Sequence, residues 1–94
     1  MDEYHKGETI ICEIEDRDTK TGELVDPATS LTLLITDNRN GKEVDNQDMV
    51  PDSTGKYHYD YTIPATAMGG VYKIVYTDTD GARISKGLDQ FKVI

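Results

Sequence analysis

Ninety-four residues, 36% hydrophobic and 30% charged, make a single domain over 1–94, too short for a second core and above the compositional range of disordered chains. Eighteen acidic against ten basic residues leave a net charge of −8, which removes the phosphate-neutralising surface that nucleic acid and anionic membranes require. The single cysteine, Cys12, cannot form an internal disulfide, no long apolar run offers membrane insertion, and the acidic Met1-Asp2-Glu3 start is unlike a secretory signal.

In chain order, the first strand is expected over Thr9 to Asp16, with Ile10, Cys12 and Ile14 on one face and Glu13 and Glu15 on the other; Tyr4 pairs separately if it pairs at all. Cys12, between two isoleucines, reads as a small buried hydrophobe. Asp16 to Glu23 is a polar loop, and Leu24-Val25 pairs briefly before Asp26-Pro27 breaks the run. Ser30 to Asp37 alternates Leu31, Leu33 and Ile35 inward, and Asn40-Gly41 turns it into a short return strand, Lys42 to Val44. Met49-Val50-Pro51 brings the chain back to the core edge, and Asp52 to Gly55 makes another turn.

The strongest strand pattern runs from Lys56 to Ile63. Tyr57, Tyr59, Tyr61 and Ile63 share an inner face, and Lys56, His58, Asp60 and Thr62 share a wet one, which sets His58 beside Asp60. Pro64 to Met68 has the length for one helical turn, ended by Gly69-Gly70. Tyr72, Ile74 and Tyr76 then form the inner face of the next strand, and Asp78 to Gly81 turns it. The last strand starts at Ala82, is interrupted by a bulge or break from Gly87 to Gln90, and ends with Phe91 and Val93 inward.

About seven short strands, with turn signals roughly every 8–12 residues and no helical period, specify an all-β antiparallel sandwich. Tyr4 with Gly7-Glu8-Thr9-Ile10, Ser30 to Asp37 with Asn40-Gly41-Lys42, Asp52 with Gly55-Lys56-Tyr57, Gly70 to Ile74, and Phe91-Lys92-Val93 together resemble the skeleton of prokaryotic immunoglobulin-like modules. Modules of this kind occur in phage, archaeal and macroglobulin-type extracellular proteins. The resemblance implies an immunoglobulin-like β-sandwich and a structural or protein-interaction role: a spacer, stalk, adhesion or virion-surface bead of a larger protein. It favours an extracellular, cell-surface or virion location. It places Tyr72 as a corner tyrosine whose hydroxyl bonds upstream backbone, and Cys12 at a first-cysteine position whose partner's place is taken by Ile74. It carries over no catalytic residues.

Residue chemistry adds no reaction. His5 and His58 lack the neighbours of structural zinc. Ser30, Ser53 and Ser85 lack a nucleophile elbow, and Glu13 and Glu15 are expected as solvated charges on one strand face. No catalytic, cofactor-binding or metal residue is assigned, and no cofactor is expected. Partners are neighbouring domains or other proteins, with a monomer or weak self-association through an edge strand. Ligand binding through Asp16 to Glu23, Asp37 to Gly41 and Asp78 to Gly81, taken as loops at one end, is the alternative. Calcium is favoured over carbohydrate, because there is no Trp and the tyrosines are needed inside. The Asp16-Arg17-Asp18 start nevertheless puts Lys20 and Thr21 where a calcium loop wants an oxygen ligand and a glycine.

Overall fold

A computed structural model describes residues 2–18, 20–26, 30–39, 41–80 and 82–94, with only the backbone of Arg83. Pro27, Asn40, Gly81 and Thr19 of the acidic loop, all part of the expected turns and loops, lie outside these. Eight strands form: β1 (Asp2–Tyr4), β2 (Thr9–Glu15), β3 (Ser30–Asp37), β4 (Lys42–Asp48), β5 (Val50–Ser53), β6 (Lys56–Thr62), β7 (Gly70–Asp80) and β8 (Arg83–Val93). They assemble as a five-stranded sheet, β1-β8-β7-β3-β4, and a three-stranded sheet, β2-β6-β5. The chain changes sheet between β1 and β2, β2 and β3, β4 and β5, and β6 and β7, leaving three same-sheet hairpins. This is the all-β sandwich that the alternation implies.

Alternation fills the space between the sheets. Leu31, Leu33 and Ile35 of β3 and Tyr72, Ile74 and Tyr76 of β7 are buried from one side, with Phe91 and Val93 of β8; Ile10, Cys12 and Tyr61 meet them from the other. Phe91 is the aromatic centre. Its ring stacks on Tyr72 at 5.2 Å and lies edge-on to Tyr4 at 6.2 Å, and it meets Tyr61 across the sandwich at 6.3 Å. These separations lie in the range where the ring quadrupoles add attraction to burial.

Several expectations are corrected. The return strand does not stop at Val44 but continues to Asp48 behind a register shift at Ile35/Thr36. Its polar residues are tolerated because β4 is an edge strand with solvent on one side. Val50 to Ser53, read as part of a connection and a turn, forms an eighth strand; its proline is accommodated because β5 is also an edge. Pro64 to Met68 makes a tight turn, Ala67 N–H donating to Pro64 C=O at 3.0 Å, instead of a helical turn.

The expected break from Gly87 to Gln90 is absent, since β8 pairs β7 in unbroken register from Arg83 to Val93. Gly87 lies opposite Tyr76, whose side chain is 3.7 Å from where a Cβ on Gly87 would stand, so the tyrosine covers the gap. β7 likewise runs on through Asp78 to Asp80. β1 is the exception to an antiparallel fold: it pairs β8 in parallel over three residues.

Candidate functional site

The side chains with chemical potential divide between the two ends of the sandwich. At one end the loop after β2 folds against the β5–β6 turn. Asp16 N–H donates to Gly55 C=O at 2.7 Å, Val25 N–H donates to Asp16 C=O at 2.9 Å, and Gly55 N–H donates to Asp26 Oδ1 at 2.8 Å. Gly55, at φ +71°, is buried here, and a Cβ on it would stand 2.8 Å from the Asp16 carbonyl oxygen. Only glycine fits such a position without displacing backbone. The expected brief pairing of Leu24 is present as an isolated bridge to Arg17.

This packing brings Asp16 against the end of β7, near Asp78, Asp80 and Asp26. Desolvation first, then a hydrogen bond and charge repulsion from Asp78, raise the Asp16 carboxyl to about 6. Asp78 Oδ1 is buried and, with Asp16 ionised, accepts no hydrogen bond from the described residues. Below about pH 6 a proton on Asp16 supplies the donor and the two carboxyls form an acid–carboxylate pair; above it that donor is lost.

Of the expected grouping, Asp16 and the β7 residues Asp78 and Asp80 do share this end, but Asp37 to Arg39 do not, which corrects it. β3 runs from Ser30, opposite Thr79, to Asp37, opposite Tyr72, so its far loop sits at the other end, where Asn38 N–H donates to Val71 C=O. Asp37 is occupied there by the Arg39 side chain and backbone N–H, and these bonds hold its carboxyl below the usual carboxylate range. In the first loop Asp18 accepts from Lys20 and Thr21 N–H. Arg17 binds Glu15 and the Gly22 carbonyl. Among the described residues no three His, Cys, Asp or Glu side chains converge as a cation site requires.

The tyrosine strand is graded from core to rim. Tyr61 is buried, whereas Tyr57 and Tyr59 are half-buried with their hydroxyls outward. Tyr57 donates to Asp26 at 3.2 Å and Tyr59 to Asp45 of β4 at 2.7 Å, and the Tyr59 phenol is raised to about 12, first by that hydrogen bond and then by burial. Sequence alternation placed the rings but not these carboxylate partners, which come from loops and strands far along the chain. His58 pairs with Asp52 of β5 at 2.6 Å and not with Asp60, because β5 lies alongside β6 and brings Asp52 across to it.

Cys12 is buried, and desolvation pushes its thiol up, the opposite of what a nucleophile needs. Tyr72 forms the expected corner: its hydroxyl donates to the Met68 carbonyl at 2.6 Å. Glu13 is exposed, and Glu15 carries its ion pair with Arg17 in solvent. No helix is long and apolar enough to cross a membrane among the described residues. Compared with known protein families and with curated proteins, the chain matches none.

Proposed function

We propose that the chain is a non-catalytic structural or protein-interaction module: a spacer, stalk, adhesion or virion-surface bead of a larger protein, whose partners are neighbouring domains or other proteins. The observation that carries this reading is where the polar side chains go. Tyr57, Tyr59, Tyr72, His58 and Asp26, the groups best suited to bind or move protons, each hydrogen-bond within the fold. None is left beside a nucleophile or a second general acid in a cleft, which reaction chemistry requires. The resemblance to phage, archaeal and macroglobulin-type modules supports the same reading and an extracellular, cell-surface or virion setting.

The test is to assay the purified chain against chromogenic ester, phosphoester, peptide and glycoside substrates. No turnover above buffer is expected, and turnover that disappears on substituting a single polar residue would overturn the reading. Calcium binding at the Asp16/Asp78 end is a second reading, favoured by the buried Asp78 oxygen that lacks a fixed donor. A cation bound only to the folded state must raise the melting temperature.

A further inference from the structure

The outer edge of β8 is incompletely covered. β1 pairs only with Phe91–Val93, and among the described residues no strand lies outside Arg83 to Asp89. On the outer face of the same strand Ile84 and Leu88 are 62% and 68% exposed, with exposed Lys86 between them. The registers place Leu88 beside Val75 and Val75 beside Leu34, an apolar row running across three strands. Lys86 and Lys73 flank that row, and neither makes an ion pair among the described residues. On the inner side, a cleft of about 240 Å³ opens between β8 and β2, lined by Tyr4, Cys12, Tyr76, Asp89 and Phe91 among others.

We propose that this edge, Arg83 to Asp89, is a docking site for an extended segment of a partner protein, which adds a strand to the five-stranded sheet and presents an apolar–acidic–apolar series on its outer face. Strand addition satisfies the unpaired backbone groups of an edge, and alternate side chains then set specificity. The apolar positions of the added strand continue the rows of Ile84 and Leu88, and its acidic position answers Lys86, a basic spot on a chain of net charge −8. Its inner side chains face the cleft, where a small hydroxyl can donate to Asp89. A second copy is the wrong occupant. The antiparallel self-pairing that sets Ile84 against Leu88 also sets Lys86 against Lys86, and like charges directly opposite destabilise a sheet. Lys86 thus acts against self-pairing in this register while permitting a complementary strand.

This proposal rests on the interaction-module reading and names its surface. The test is to titrate the isotope-labelled chain with the peptide Thr-Val-Thr-Glu-Thr-Val-Thr and follow backbone amide shifts. Changes are expected along Arg83 to Asp89 and at Val75 and Leu34. Lys86→Glu should weaken binding about fivefold, the scale of one cross-strand charge pair, and the peptide with Lys in place of Glu should then bind the variant better than the wild type. Amide shifts from the β8 edge unmoved at millimolar peptide, affinity indifferent to the charge swap, or a concentration-dependent dimer through β8 without peptide would each overturn the assignment. Failure of peptide binding without turnover removes this edge alone, whereas enzymatic turnover removes the non-catalytic reading whatever the peptide does.

Discussion

Asp16→Asn should make the protein more stable at neutral pH. In the folded chain desolvation and the neighbouring Asp78 raise the Asp16 carboxyl to about 6, from an ordinary 3.8. A carboxyl whose folded pKa is raised contributes stability that is fully present below about pH 4 and is lost as pH rises through about 6. That rise in pKa corresponds to roughly 3 kcal/mol without screening. Asp16 is only half-buried, and solvent reduces this to about 1 kcal/mol. Asparagine keeps the backbone bonds to Gly55 and Val25 and offers Asp78 Oδ1 an N–H donor at every pH. The assay is urea denaturation of both proteins between pH 4.5 and 7.5, an interval of about 3 units spanning the titration. The variant's advantage should be about 1 kcal/mol at the upper limit and shrink towards zero at the lower, where wild-type Asp16 carries its own proton. A difference that does not change with pH, or a variant less stable at neutral pH, would falsify the acid–carboxylate pair.

Other expectations follow from the same packing. Tyr72→Phe removes the bond to the Met68 carbonyl and should cost about 1 kcal/mol; Tyr72→Ala also empties an aromatic core site and should cost about 3–5 kcal/mol, both read from denaturation midpoints. Gly55→Ala forces a side chain onto φ +71° and against the Asp16 carbonyl, so a loss exceeding about 1 kcal/mol is expected, and a neutral substitution would mean that the loop does not pack there. Millimolar calcium should leave the melting temperature unchanged, because the Gly55 and Tyr57 donors already occupy Asp26 and no three carboxylates converge as a cation site among the described residues; a rise of several degrees would shift the reading to a calcium module.

The sheets were legible because period-two alternation is a local signal. Leu31, Leu33 and Ile35, Tyr72, Ile74 and Tyr76, and Phe91 and Val93 are all buried as their spacing implies. So is Cys12, and the Tyr72 corner was readable from Gly70-Val71-Tyr72. What sequence could not supply was partnership at long range. The Asp26 carboxylate that receives Tyr57, the Asp45 that receives Tyr59 and the Asp52 that receives His58 each lie on another element, and no local pattern marks them. Edge strands failed for a related reason: β4 and β5 need only one neighbour and little burial, so Asp45 to Asp48 and Pro51 carried no alternation to read. The continuity of β8 through Gly87 depends on Tyr76 lying across it from the neighbouring strand, again a contact invisible along the chain. The candidate interaction edge combines both kinds of information. Exposed Ile84 and Leu88 are readable as residues, but that β1 stops short of them is a property of the assembled sheet.

Amide hydrogen exchange along β8 tests the central claim most directly, namely a sandwich in which β1 leaves the outer edge of β8 open from Arg83 to Asp89. The account predicts alternating protection from Arg83 to Asp89, slow where the N–H points to β7 and fast where it points outward, followed by protection of both kinds from Phe91 to Val93 under β1. Uniformly slow exchange along Arg83 to Asp89 in the isolated monomer would contradict it, because the edge would then already have a partner.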